Sequence, residues 1–311
     1  MIDYLTKLIH AGKRHKIRSL PHLGIWLWLL LCIPCLLASC GNDDDEKEKG
    51  LSVSLSWTNE ADKGTKVKDV KLWIFNAGKD SLVEEKHYGS AEEMASQRFQ
   101  LPEGTYRILT TTNLSEPFFI KEQTRALSSW NNILIGLTNP KDVKNNAYFG
   151  VTDVKIDNKE GSQVMKNPIR SVLSELTIII ENVPKGTEMN GKALDCAGCL
   201  FPTQKNSDGD YGLPGIEPTE VEFPTILSTG STLQSEVIRL MPTILGSQAS
   251  HIYLRLLLPN ATLLEYDITA PVMKAGGKYE LRFKLEEMQP KIYLESDINN
   301  WKDLNKEVEI K

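Results

Sequence analysis

VKLWIFNAG, at residues 70–78, carries the clearest structural signal in the sequence. Its first six residues are rich in β-branched and aromatic side chains, and the turn residues Asn76-Ala77-Gly78 end the run. A second run of the same kind, TYRILTT at residues 105–111, follows the turn residues Leu101-Pro102-Glu103-Gly104. Short runs separated by Gly, Pro and Asn are typical of a β-sandwich or barrel rather than of a parallel α/β sheet.

Similar runs extend outward from this region over most of the chain. Residues 51–57 alternate apolar side chains with serine, which predicts a half-buried strand. One short helix is predicted at residues 90–96. Further strands are predicted at 81–87, 148–151, 169–180, 236–240, 252–258, 263–269, 278–285 and 292–294. The sequence therefore predicts an all-β protein with two β-sandwich domains, residues 51–160 and 161–311, divided near the turn residues 158–161.

Cys40 indicates where the protein resides. A segment with five basic residues precedes the apolar run 23–37, and Leu37-Ala38-Ser39-Cys40 follows as a lipobox. We predict a lipoprotein signal peptide at 1–39, a lipidated Cys40 and an acidic tether at 40–50. An uncleaved transmembrane helix is the alternative, but it needs about 20 apolar residues, and this run is shorter and contains Pro34. Two acyl chains on Cys40 would suffice for stable anchoring in a bilayer.

The charge of the chain excludes some partners. The precursor has 36 basic and 41 acidic residues. Removal of residues 1–39 leaves 31 basic and 40 acidic residues, a net charge of −9. Binding to nucleic acid requires a basic surface, so we expect no nucleic-acid partner.

Cysteine and histidine are scarce after the signal. Only Cys196 and Cys199 remain beyond Cys40, spaced as Cys-Ala-Gly-Cys in a region rich in turn residues. The secreted context favours a local disulfide or two inert thiols over a metal or redox site. His87 and His251 are interpreted as solvated residues at strand ends. The sequence has no nucleophile elbow, zinc-protease motif or nucleotide-binding loop, so we expect no enzyme and no cofactor.

A weak calcium candidate lies in the loop after the two cysteines. Asn206, Asp208, Asp210 and Glu217 occupy positions 1, 3, 5 and 12 of the EF-hand loop. Position 6, which should be glycine, is Tyr211. The favoured interpretation is therefore a surface turn rich in Asn and Asp.

The strands, taken in order, resemble the fimbrillin-like and FimB-type anchor lipoproteins of Bacteroidetes, which are subunits of type V pili. The similarity rests on residues 70–78, 101–109 and Asn113, on the strand Ile169 to Ile178, and on the final segments 275–283 and 298–301. The resemblance implies two transthyretin-like Greek-key β-sandwiches and a location at the outer membrane or cell surface. Gly41 and the acidic residues after it resemble the surface-export signal of such lipoproteins.

The resemblance also implies assembly with other fimbrial subunits by β-strand addition and a role in cell adhesion. Leu51, Val53, Leu55 and Trp57 would form the exchangeable N-terminal strand, and residues 298–311 are a second candidate strand. No arginine of the mature chain precedes Arg98, which argues against arginine-specific removal of the first strand. An anchor subunit is therefore favoured over a polymerising one. The alternative is a surface glycan-binding lipoprotein, with Trp130 as its exposed sugar platform.

Overall fold

The computed structural model describes residues 50–122, 129–140, 143, 145–157 and 161–290, which all belong to one compact unit, Glu48–Lys311. Strands dominate these residues, which confirms the all-β prediction. In chain order they are β1 (Gly50–Trp57), β2 (Lys68–Asn76), β3 (Ser81–Ser90), β4 (Gly104–Thr112), β5 (Phe118–Glu122), β6 (Ile133–Leu137), β7 (Tyr148–Ile156), β8 (Ser162–Ser171), β9 (Ser174–Glu181), β10 (Glu188–Ala197), β11 (Cys199–Lys205), β12 (Tyr211–Pro214), β13 (Pro218–Leu227), β14 (Thr232–Gln234), β15 (Ile238–Leu240), β16 (Ser250–Leu257), β17 (Leu263–Ala270) and β18 (Lys278–Lys284).

Helices are short. The α-helix α1 (Ala91–Ala95) lies inside the predicted range 90–96. Its cap is reciprocal: Ser90 Oγ accepts a hydrogen bond from Glu93 N at 3.2 Å, and Glu93 Oε2 accepts one from Gly89 N at 2.7 Å. Short 3-10 helices occupy Glu60–Asp62, Trp130–Asn132 and Leu285–Glu287. Among the described residues, no helix is long and apolar enough to cross a bilayer.

The first sheet has six strands in the order β1-β8-β7-β4-β2-β3. All its neighbours are antiparallel except β1 and β8, which run parallel. Side chains alternate between the two faces, as the period of a strand requires, and both faces are apolar. One face carries a core cluster of Leu51, Val53, Val70, Leu72, Ile74, Tyr88, Met94, Phe99, Tyr106, Ile108, Ile156 and Met165. The other face carries Trp73, Phe75 and Leu109, which pack with Trp130 and Ile133.

The second half of the chain forms a β-sandwich. One sheet has the order β13-β10-β16-β17, and the other places β14 and β15 on one side of β9 and β18 on its other side. Alternating residues of β9, such as Leu176, Ile178 and Ile180, are fully buried against Leu254 and Leu256 of β16. This cluster is the core of the C-terminal half.

A fourth sheet joins the two halves, in the order β12-β11-β6-β5. Strands β5 and β6 precede residue 160, whereas β11 and β12 follow it. A cluster of buried residues from both halves of the chain packs on this sheet, and within it Ile135 contacts Leu173 and Leu200.

The predicted boundary near residue 160 separates β7 from β8. In the structure both strands belong to the first sheet, and β8 pairs with β1 along its length. The division into two tandem domains therefore stays a prediction. In the structure β8 is the last strand of the chain that belongs to the first sheet, and the strands from β9 onward belong to the other sheets. Of the predicted strands, 292–294 lies outside the described residues.

Candidate functional site

Strand β1, the predicted exchangeable strand, forms one edge of the six-stranded sheet. It pairs with β8 in parallel register, from Gly50 opposite Ser162 to Trp57 opposite Ile169. On its other side it makes a single antiparallel bridge, in which Leu51 and Phe99 exchange hydrogen bonds of 3.0 and 2.8 Å. The strand is thus held by a continuous ladder on one side and by one bridge on the other.

The apolar side chains of β1 fill the first core to different extents. Leu51 is 1% exposed and Val53 is fully buried, so each contributes roughly 1.5–3 kcal/mol of burial free energy. Leu55 is half-buried against the same cluster. Trp57 is also half-buried and meets the ring of Tyr148 edge to face, with 4.9 Å between the centroids. The four predicted residues therefore form one apolar row that β1 inserts into the fold.

The segment after β1 is tied to the C-terminal half by charge. Asp62 of the first 3-10 helix is buried, and its Oδ1 lies 3.2 Å from Lys278 Nζ on β18. The same ammonium lies 3.3 Å from Glu175 Oε2 on β9. Burial lowers the pKa of Lys278, but the hydrogen bonds that its ammonium donates to Asp62 and Glu175 outweigh this effect and leave that pKa raised.

A polar cleft of about 560 Å³ opens where the six-stranded sheet meets the joining sheet. Arg107 and Asp153 face each other in register on β4 and β7. The opposite wall consists of Trp130 and Asn131 with the β11–β12 hairpin, which contributes Thr203, Gln204, Lys205 and Tyr211. A hydrogen bond of 3.1 Å from Gln204 Nε2 to the Asn131 carbonyl joins the two parts of that wall.

Aromatic rings hold the cations of the cleft. Arg107 lies with its guanidinium carbon 5.7 Å from the Trp130 ring centroid, and Lys205 Nζ lies 4.9 Å from that of Tyr211. Burial raises the pKa of Tyr211, and the carboxylate of Asp153 adds to the effect while Arg107 opposes it. The Tyr211 hydroxyl is therefore protonated at neutral pH and can donate a hydrogen bond.

Trp130 is not the exposed platform suggested by the sequence. It is 3% exposed and packs edge to face on Phe75, with 5.2 Å between the ring centroids. The physical reason is that the face of the sheet carrying Trp73 and Phe75 is itself apolar and needs a cover. A buried tryptophan supplies that cover.

Cys196 and Cys199 are both free thiols in the structure, and the predicted choice between a local disulfide and two inert thiols stays a prediction. Cys196, near the end of β10, is buried in the C-terminal core. Cys199 begins β11, and its thiol lies beside Gly215. Burial, aided by the charge of Asp195, raises the pKa of Cys196 to about 12. Burial also raises the pKa of Cys199.

The calcium candidate is an Asx turn. Asn206 Oδ1 accepts hydrogen bonds from the backbone amides of Asp208 and Asp210, each at 3.0 Å. Lys274 Nζ lies 2.5 Å from Asp208 Oδ2, and that hydrogen bond raises the pKa of Lys274. Within the described ranges no three His, Cys, Asp or Glu side chains come together as metal ligands, and Glu217 is in the turn that follows β12. The candidate oxygens therefore serve the turn and its ion pair.

His87 and His251 are exposed, and each is paired with an aspartate. His87 Nε2 lies 2.5 Å from Asp69 Oδ1, and His251 Nδ1 lies 2.5 Å from Asp195 Oδ2. The sequence predicts both at strand ends; in the structure His251 is the second residue of β16, whereas His87 lies inside β3, which extends to Ser90.

Cys40 with its signal peptide and the candidate strand 298–311 also lie outside the described residues. Conversely, the cleft had not been predicted. The residues that line the cleft are distant in sequence and share no regular spacing. Lys205 and Tyr211, which lie on one hairpin, are the only local signal for it.

Comparison with known proteins gives one family. The fimbrillin-A associated anchor proteins Mfa1 and Mfa2 match residues 42–304. The curated proteins offer no match.

Solved structures show a similar fold at low identity. A candidate cell adhesion protein from Bacteroides eggerthii is 12% identical with a TM-score of 0.53, over 76% of this chain and 86% of that one. A candidate adhesin from Bacteroides thetaiotaomicron is 12% identical with a TM-score of 0.50, over 72% and 80%. The fimbrial anchor protein Mfa2 from Porphyromonas gingivalis is 12% identical with a TM-score of 0.49, over 70% and 81%.

The similarity to solved structures concerns the fold, whereas the family match covers most of the sequence. On that match, the chain belongs to the family of fimbrillin-A associated anchor proteins Mfa1 and Mfa2.

Proposed function

We propose that this protein is a lipid-anchored, non-enzymatic anchor subunit of a fimbrium at the outer membrane or cell surface. The family match carries the proposal, because it is a match to anchor proteins and begins at residue 42, two residues after Cys40. A lipid on Cys40 would hold the folded part through the acidic tether 40–50. The chain would then fix other fimbrial subunits to the envelope.

The setting of β1 supports an anchor that keeps its first strand. Leu51 and Val53 are buried in the first core, and the hydrogen-bond ladder with β8 runs the whole length of the strand. Residues 58–97 contain no arginine. Cleavage at the exposed Lys63, Lys66 or Lys68 by a different protease is the alternative route to strand removal.

Partner subunits would bind by strand addition. Strands β3 and β17 are edges of their sheets, and an added strand would pair with their outward-facing backbone groups. Such pairing, with alternate side chains inserted into the core, gives very stable joints between subunits.

The test is the state of the native protein in cell envelopes. Mass spectrometry should find a diacylglyceryl group on Cys40 and an intact β1, and Cys40→Ser should release both this protein and the fimbriae into the medium. A native N-terminus beyond Trp57, together with an SDS-resistant ladder, would make the protein a polymerising subunit. Fimbriae that stay on cells carrying Cys40→Ser would also contradict the anchor role.

A further inference from the structure

We propose that the cleft between β4, β7 and the β11–β12 hairpin binds a sugar residue that carries a carboxylate. None of the residues that line the cleft belongs to β1, and binding of a sugar is a function beyond fimbrial anchoring. It draws on three independent features: free cationic donors, an unpartnered buried hydroxyl and a wall of rings and amides.

The first feature is positive charge that remains available. Lys205 is exposed, rests over the Tyr211 ring and has no carboxylate partner in the described part of the chain. Arg107 Nη1 lies 3.3 Å from Asp80 Oδ1, and Arg107 Nε lies 3.9 Å from Asp153 Oδ1. A guanidinium has five N–H donors, so Arg107 keeps donors for a ligand. Asp153 also lines the cleft and, with Asp80, balances the charge of Arg107, so Lys205 supplies the positive charge left over for an anionic group.

The second feature is Thr203, which lines the cleft and is 2% exposed. Its Oγ1 has no hydrogen-bond partner among the residues that the structure describes. A buried hydroxyl without a partner is costly. Because this oxygen has almost no accessible surface, a ligand hydroxyl or carboxylate would satisfy it after a small shift of the Thr203 side chain toward the cleft.

The third feature favours a sugar over a peptide. Strands β4 and β7 are inner strands, each paired on both sides, so Arg107 and Asp153 offer no free strand edge to an extended peptide. What the wall presents is the Tyr211 ring and the side-chain amides of Asn131 and Gln204. Rings and planar amides are the groups that contact the faces and hydroxyls of a sugar.

Two sources could supply such a sugar, a uronic acid or a sialic acid. We would titrate the full chain, purified in detergent, with methyl glucuronide, methyl sialoside, neutral methyl glucoside and an acidic dipeptide, and follow binding by ligand-observed NMR. Binding of at least one acidic sugar, with weaker binding of glucoside and dipeptide, is expected, and the preferred acidic sugar identifies the source. Equal binding of glucoside, preference for the dipeptide or no binding of either acidic sugar would overturn the proposal.

Two variants locate the binding. Lys205→Gln should weaken the acidic sugar about tenfold, the effect of losing one charge-assisted hydrogen bond. The matched control is Lys166→Gln on β8, an exposed strand lysine outside the cleft, which should leave affinity unchanged. Thr203→Val should weaken binding without lowering stability, because the hydroxyl has no partner to lose. Unchanged affinity in both Lys205→Gln and Thr203→Val, or equal loss in Lys166→Gln, would place the ligand elsewhere.

Discussion

Lys278 Nζ lies 3.2 Å from Asp62 Oδ1, a contact between residues that are 216 positions apart. Asp62 follows the edge strand β1, whereas Lys278 begins β18 of the C-terminal sandwich. The aspartate side chain is 8% exposed, and this lysine is its ion-pair partner. The pair connects the N-terminal strand region to the far end of the described chain.

Replacing Lys278 with Met should lower the free energy of unfolding by about 1–3 kcal/mol, because the buried Asp62 carboxylate loses its partner. Urea denaturation measures the change. Lys284→Met is the control, since its partner Glu287 is 63% exposed, and it should leave the free energy of unfolding nearly unchanged. Equal effects of the two substitutions would contradict the structural role of Asp62.

The same pair predicts a pH dependence. The pKa of Lys278 is raised above its ordinary value of 10.5 by Asp62 and Glu175, against the lowering effect of burial. The contact therefore stabilises the fold below pH 10.5 and is lost as the pH rises through the raised pKa. Stability should fall more steeply above that value in the native protein than in Lys278→Met. Parallel curves for the two proteins would exclude this contribution.

Leu51→Ala should destabilise the protein by about 2–5 kcal/mol, because the removed atoms leave a cavity in the first core. Val83→Ala on the edge strand β3 is the control, since Val83 is 45% exposed, and it should change stability by less than about 0.5 kcal/mol. Urea denaturation measures this change, and a lysine-specific protease should cut Leu51→Ala faster at the exposed Lys63 that follows β1. A strand that contributes little to the fold would give small effects in both assays.

Asn167 should be intolerant of substitution. It is fully buried on β8, where its Nδ2 donates to Thr110 Oγ1 at 2.9 Å and to the Gly150 carbonyl at 3.3 Å. Its Oδ1 accepts from Thr152 Oγ1 at 2.8 Å. Asn167→Leu should cost about 1–3 kcal/mol or more, since these buried groups lose their partners. Thermal unfolding measures the change. A Tm of Asn167→Leu equal to that of the native protein would show that this hydrogen-bond network does not stabilise the fold.

The two thiols should resist alkylation at pH 8. Cys196 has its pKa raised to about 12 by burial and by Asp195, so almost none of it is thiolate at that pH. Mass spectrometry should find slow labelling confined to the half-buried Cys199, and two labels after unfolding in urea. A native mass lower by two hydrogens would instead prove a disulfide.

Calcium should leave the Tm unchanged when it replaces EDTA, because the Asn206 oxygen and the Asp208 carboxylate are already engaged. A genuine site would stabilise the fold by about 2.7 kcal/mol at a hundredfold excess over its Kd. A rise in Tm that Asn206→Ala removes would restore the calcium interpretation.

Local signals were sufficient for individual elements. The alternation in β1, the β-branched run of β2 and the capping residues of α1 all predict their own conformation, because side-chain period and turn chemistry act over a few residues. They also gave the all-β class.

Contacts between distant residues were not predictable in this way. The sequence around Trp130 predicts an exposed loop residue. In the structure Trp130 is buried against the sheet face of Trp73, Phe75 and Leu109, which lie about 20 to 60 positions earlier in the chain. The cysteine spacing likewise gave no sign that Cys196 would lie buried in the C-terminal core.

The sequence by itself determined the strands, the family and the predicted lipid attachment at Cys40, since these depend on neighbouring residues. Tertiary structure alone decided that β8 joins the first sheet, that β5 and β6 share a sheet with β11 and β12, and that five elements meet at the Arg107 cleft. The physical reason is that strand pairing satisfies backbone N–H and C=O groups that nearly every residue has. The sequence of one strand therefore does not determine which strand pairs with it. That choice depends on which apolar faces can be buried together.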